Sequence, residues 1–113
     1  MYPQARESLA GRNGLTLHEL VFVGIENAVR YRLSVHAQEE IERRRIPVAL
    51  LEAVLENPDQ VVAERGALKA YQSRCDIGGK MYLVRLIVHD AVDPAVVVSA
   101  YRTTKIEKYW GKP

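Results

Sequence analysis

The chain has little of what staples, breaks or spans. Cys75 is the single cysteine among 113 residues. A lone thiol forms neither an internal disulfide nor a cysteine-based zinc site, and it suits a reducing, cytosolic compartment. No apolar run approaches the about 20 residues a membrane-crossing helix needs. The longest near the start, residues 20–25, is far too short. The first twelve residues include Arg6, Glu7 and Arg12 without an apolar run, so they do not read as a signal peptide. Gly78-Gly79 lacks the spacing and the Lys-Ser/Thr pair of a phosphate-binding loop. No G-x-S-x-G nucleophile motif occurs. Asp90 and Asp93 have no further clustered oxygens to hold calcium or magnesium. Neither a cofactor nor a metal is expected, nor a membrane partner.

What is present is ordinary globular composition, 48% apolar and 27% charged, in a length that suits one domain. The net charge of +2 hides an asymmetry: +1 over residues 1–32, −4 over 33–64 and +5 over 65–113. The basic half could attract a polyanion such as RNA, or it could be a solvated sheet surface with lysines on its edges.

Residues 1–15 carry no periodicity and read as a loose arm. Thr16 and Glu19 form a capping box. After them Leu17, Leu20, Val21, Gly24, Ile25 and Ala28 repeat at helical spacing, which predicts a helix over about 17–30. Phe22 and Val23 widen its stripe, so a protein partner could cover it. Residues 31–35 are a short β-like run. Residues 36–45 predict a helix with a narrow buried edge at Ala37 and Ile41. Pro47 opens another helix, with Val48, Leu51, Val54 and Leu55 on one face, and Asn57-Pro58-Asp59 ends it.

Beyond Pro58 the period changes from 3.6 to 2. Strands are predicted from 61–63, 70–75, 81–89 and 95–101, with Gly66 and Gly78-Gly79 at turns. In the third of these, Tyr82, Val84, Leu86 and Val88 suit a core, while Leu83, Arg85, Ile87 and His89 form a mixed face. Val96, Val97 and Val98 suggest a central strand. The predicted class is α+β: helices packed on one face of a four- to five-stranded antiparallel sheet, within a single domain over 16–110.

Several residues could carry chemistry. The tail YRTTKIEKYW over 101–110 interleaves Arg102, Lys105 and Lys108 with Tyr101, Tyr109 and Trp110. Cations hold phosphates and rings stack on unpaired bases, so the mixture suits single-stranded RNA. Arg102 can offer a planar fork to a phosphate, and Thr103 or Thr104 a neutral donor. The same residues could equally form a helical cap, with Thr103 or Thr104 as N-cap and Ile106, Tyr109 and Trp110 docked on the sheet. His36, near a helix start, suits a general base at neutral pH, or it caps the turn. His89 lies at the opposite end of its strand pair from Arg102 and reads as a turn residue. Arg43, Arg44 and Arg45 follow Glu39 and Glu40 along one helix, an order that complements the helix dipole.

The stretches LSVHA over 33–37, RRIP over 44–47 and VLENPD over 54–59 resemble the opening of a bacterial family known as domain of unknown function 4258. The ending VVVSAYRTTKIEKYW over 96–110 looks like a cyanobacterial subgroup of it. The likeness covers about residues 31–110. It implies kinship with RelE-like and BrnT-like toxins, small α+β ribonucleases that act without metal. By that likeness the catalytic set would be His36, Arg102, Thr103 and Lys105; the expected RNA contacts are Tyr101, Lys108 and Tyr109 of the basic, aromatic tail, together with Arg85. Many relatives carry arginine four residues after the histidine; here that position is Glu40. The partners implied are RNA, an antitoxin or another protein docked on the 16–30 helix, and a second copy in a homodimer. The alternative class is a non-catalytic nucleic-acid-binding or protein-interaction module.

Overall fold

The computed structural model describes residues 21–24 and 30–111. Six strands form one sheet: β1 (Val21–Gly24), β2 (Arg30–Leu33), β3 (Gln60–Ala63), β4 (Leu68–Ile77), β5 (Lys80–His89) and β6 (Val96–Thr103). The order across the sheet is β1-β2-β6-β5-β4-β3. Helices α1 (Val35–Arg43) and α2 (Val48–Glu56) fill the connection from β2 to β3, and a single turn, α3 (Ile106–Tyr109), follows β6. The class is α+β, as expected.

The sheet is mixed, not purely antiparallel. β3 to β6 form the expected antiparallel meander, but β2 lies parallel to β6, with Arg32 opposite Val96 and Leu33 opposite Val97. Arg32 N–H donates to Ala95 O at 2.9 Å and Ser34 N–H to Val97 O at 3.1 Å. A parallel neighbour needs a long crossover. Here α1, α2 and the meander supply it, and β6 becomes a central strand with Val97 fully buried.

Residues 21–24 also correct an expectation. They are extended and pair antiparallel with β2, Val21 opposite Leu33. Val21, Phe22 and Val23 are β-branched or aromatic, and such residues take a strand when a partner edge is at hand. Arg30, the last residue of the expected 17–30 helix, is extended as the first of β2; residues 1–20 and 25–29, which include the 1–15 arm, lie outside the described residues. The helical stripe invoked for a protein partner is therefore broken at its middle.

Alternation sorts the two faces of the meander. Val84, Leu86 and Val88 of β5, with Val97 and Ala100 of β6, pack against Ala37, Ile41, Leu51, Val54 and Leu55 of α1 and α2. Burying each such leucine contributes on the order of 2–3 kcal/mol. The opposite face carries Leu83, Arg85 and Ile87, all buried, and the C-terminal segment lays the Tyr109 ring over Arg85. The helices therefore do not share one face: α1 and α2 cover one, α3 the other. The β4–β5 hairpin turns at Gly78 and Gly79, φ +63° and +87°, and Asp76 Oδ1 accepts the Gly79 N–H at 2.9 Å.

At the loop end of β5, Tyr71 Oη donates to Asp90 Oδ2 at 2.8 Å and Lys69 Nζ lies 3.4 Å from Asp90 Oδ1. The Tyr71 hydroxyl and Lys69 hold the Asp90 carboxyl below the usual carboxylate range, and burial with Asp90 beside it pushes the Tyr71 phenol up. Tyr71→Phe should cost about 1 kcal/mol of stability above pH 5. The cost should shrink as pH falls and Asp90 protonates, readable from urea midpoints at two pH values.

Candidate functional site

β2 stops at Leu33 while β6 continues to Thr103. Past Val97 that edge of β6 has no strand beside it among the described residues, and side chains from α1 take over. Ser34 Oγ caps α1 by accepting the Ala37 N–H at 3.0 Å, and it donates to Val98 O at 3.4 Å. Glu40, one turn on, aims its carboxylate at the same edge. Its Oε1 accepts the Ala100 N–H at 3.2 Å and the Ser99 hydroxyl at 3.0 Å. A buried N–H without an acceptor is costly, and Glu40 satisfies this one.

The other oxygen of Glu40 gathers two guanidinium groups and an imidazole. Oε2 lies 3.4 Å from His36 Nε2, 3.2 Å from Arg43 Nη2 and 3.5 Å from Arg44 Nη2. These residues stand three and four apart on one helix, so their side chains converge. The carboxylate is only 9% exposed, whereas the His36 imidazole is 60% exposed. Burial alone would raise the Glu40 pKa. The Ala100 N–H, the Ser99 hydroxyl, His36 and Arg44 outweigh burial and hold it below the usual carboxylate range. The result is a charged carboxylate fixed under an accessible imidazole. With Nε2 facing Glu40, Nδ1 is the nitrogen left for other partners.

The residues expected to act together are divided by the sheet. Arg102 pairs opposite Val84, which places it on the face that carries α1, and its guanidinium lies 4.6 Å from the centre of the Tyr82 ring. It follows Ala100, the Glu40 partner, by two residues, roughly 7 Å along a strand. Thr103 pairs opposite Leu83, on the other face, and its Oγ1 accepts the Lys105 N–H at 3.0 Å. Lys105 is exposed in the turn that follows. Tyr101 pairs opposite Arg85, also on the far face. A single site containing His36, Arg102, Thr103 and Lys105 is therefore not formed. His89 pairs with Val96, at the end of β6 remote from Arg102.

The far face holds the expected RNA contacts in an internal network. Gln60, Gln72, Arg85 and Tyr101 lie in one row across β3, β4, β5 and β6. Arg85, 5% exposed, donates from Nε to Gln72 Oε1 at 2.7 Å, from Nη1 to Tyr101 Oη at 2.6 Å and from Nη2 to Glu64 Oε1 at 3.2 Å. The Tyr109 ring caps it at 4.6 Å, and Lys108 Nζ lies 5.3 Å from that same ring. Burial raises the Tyr101 phenol despite the Arg85 charge beside it. Arg85, Tyr101 and Tyr109 are thus engaged with one another rather than offered to RNA, and the aromatics dock as a cap on the sheet.

No helix among the described residues is long and apolar enough to cross a membrane. A family model described as Domain of unknown function (DUF4258) matches residues 33–102. The chain belongs to the DUF4258 family. The matched stretch runs from the last residue of β2 to Arg102, so it contains His36, Glu40 and Arg102 and leaves out Thr103, Lys105 and the segment that covers Arg85. No curated protein and no solved structure matches the chain.

Sequence reasoning passed over Gln60 and Gln72, and for Glu40 it missed the ties to Ser99 and Ala100. Glu40 carried a usable signal, since it stands four residues from both His36 and Arg44. The two glutamines carried none: only strand register puts them in line with Arg85.

Proposed function

We propose that this DUF4258 domain is a metal-independent endoribonuclease of the RelE/BrnT toxin type, centred on His36. The observation that carries the reading is the exposed imidazole backed by a buried, charge-holding carboxylate. A carboxylate behind a histidine orients the ring and stabilises the cation it becomes on taking a proton. In this scheme His36 takes the proton of a ribose 2′-hydroxyl. The freed oxygen bonds to the adjacent phosphorus, and the bond from phosphorus to the 5′ oxygen breaks. The products are a 2′,3′-cyclic phosphate and a 5′-hydroxyl whose proton comes from solvent. Arg102, on the same face, faces the extra negative charge of the pentacoordinate phosphorus, the main electrostatic demand of the reaction. Arg43 and Arg44 add positive potential beside it. Thr103 and Lys105 are given no role. The reading also makes RNA and a neutralising antitoxin its natural partners.

A non-catalytic nucleic-acid-binding module is the second reading. Glu40 favours it, because this acid already engages Arg43 and Arg44, the arginines nearest His36 on α1.

RNA should be cleaved by the purified chain in EDTA, leaving cyclic phosphate ends. His36→Ala/Arg102→Ala should lose at least about a hundredfold in rate, the usual size of a general-base contribution. Equal cleavage by both preparations would remove these residues from the site. Intact RNA in every lane would leave the binding module standing.

A further inference from the structure

The row Gln60–Gln72–Arg85–Tyr101 is covered by residues 105–111, and the way it is covered suggests a strap. The attachments go mainly to the main chain of the segment. Gln60 Oε1 accepts the Gly111 N–H and Gln60 Nε2 donates to Gly111 O, both at 3.0 Å. Gln72 Nε2 donates to Tyr109 O at 3.2 Å. Two rings lie on two cations: Tyr109 on Arg85 and Trp110 on Arg74, the latter at 4.0 Å. The approach is close, since a Cβ on Gly111 would meet Val62 Cγ1 at 2.8 Å.

The strap is lightly held for its length. α3 is one turn with no buried residue and no side-chain cap on its N-terminus. Ordering each residue of the segment costs backbone entropy, and little full burial offsets it. The sheet beneath is held separately, by its ladders and by the helices on its other face. A segment of this kind opens by itself while the domain stays folded. Opening would uncover the face of the Arg85 guanidinium under Tyr109 while its bonds to Gln72, Tyr101 and Glu64 persist, strip Trp110 from Arg74, release Gln60 and Gln72 from the strap's carbonyl and N–H groups, and free the Tyr101 ring from Tyr109. Cations, amide donors and a flat ring, one strand spacing apart, are the chemistry of a single-stranded nucleic-acid platform.

We propose that residues 105–111 are an autoinhibitory strap over a second, single-strand-binding face built on Arg74, Arg85, Gln72 and Tyr101. This face lies opposite His36, and the proposal stands whether or not the chain cleaves RNA.

The test uses the full-length chain and a fluorescent oligothymidylate, which has no 2′-hydroxyl to cleave. Gly111→Val drives a side chain into Val62, and Gln60→Leu removes the amide clasp by a different route. Trp110, the sole tryptophan, reports the strap. Each variant should keep the wild-type circular dichroism, shift the tryptophan emission to the red and bind the oligonucleotide about tenfold more tightly, because the open fraction is no longer limiting. Adding Arg74→Gln to either released variant should cancel the gain. Red-shifted emission without tighter binding would overturn the masked site. An unshifted emission in both variants would overturn the latch. A gain that survives Arg74→Gln would assign the binding to the freed lysines of the tail instead.

Discussion

Replacing Glu40 with alanine is expected to destabilise the domain by about 2–4 kcal/mol, a large share of what a chain of this size possesses. The cost comes from what the carboxylate leaves behind. The Ala100 N–H is buried and its acceptor is Glu40 Oε1; the Ser99 hydroxyl shares that oxygen. Among the described residues no strand lies beside β6 at this point, because β2 ends at Leu33. Arg43 and Arg44 would lose their common partner but reach water, so they add little. Glu40→Gln should cost less, since its carbonyl can still accept from Ala100. The pH dependence separates the two effects. The folded pKa of Glu40 lies below its ordinary value of 4.5. The charged form therefore contributes stability that is complete above 4.5 and is lost as pH falls from there through the folded value. Urea unfolding of the wild type should weaken over that window, and the Glu40→Gln variant should show a shallower fall. An alanine variant with unchanged stability would mean that Glu40 does not terminate the pairing of β6.

Arg85→Ala is the second large effect, also about 2–4 kcal/mol. The guanidinium fills the space between Gln72, Tyr101, Glu64 and Tyr109, and its loss strands the Gln72 carbonyl and the Tyr101 hydroxyl under the strap. It also leaves a cavity beneath the Tyr109 ring. Glu64 is one-third exposed and can turn to water, so it contributes little of this. Arg85→Met keeps most of the volume without the charge, and a buried charge replaced by a well-packed apolar chain is often tolerated. Thermal denaturation should rank wild type, Met and Ala in that order. If Arg85→Ala left stability unchanged while weakening RNA binding to the closed protein, Arg85 would be a nucleic-acid contact after all.

The meander was legible because its signals are local. Alternation in residues 81–89 separates Val84, Leu86 and Val88 from Leu83, Arg85 and Ile87, and the structure buries the first set against the helices and the second on the opposite face. Pro47 and Asn57-Pro58-Asp59 bracket α2 closely. The parallel placement of β2 beside β6 was not legible, because periodicity reports which face a residue takes and not which strand lies next to it. Val21, Phe22 and Val23 satisfied a helical spacing and a strand composition together, and only the edge offered by β2 decided between them. The candidate site failed in a similar way. Tyr101, Arg102 and Thr103 are adjacent in sequence, so they seemed to form one site. A strand sends neighbours to opposite faces, and Arg102 parts from the other two. Spacing along the helix shows Glu40 near His36 and Arg44, but only the fold shows that its buried carboxylate ties α1 to β6.

In the proposed function, nucleic acid meets the α1 face of this domain at His36. The most direct measurement is an NMR titration of the full chain with an RNA strand made uncleavable by 2′-deoxy substitution, followed on the imidazole of His36 and the arginine side chains. Saturable shifts are expected at His36, Arg102, Arg43 and Arg44, with Arg85 unmoved while the strap is closed. A silent His36, with shifts confined to other residues, would contradict it.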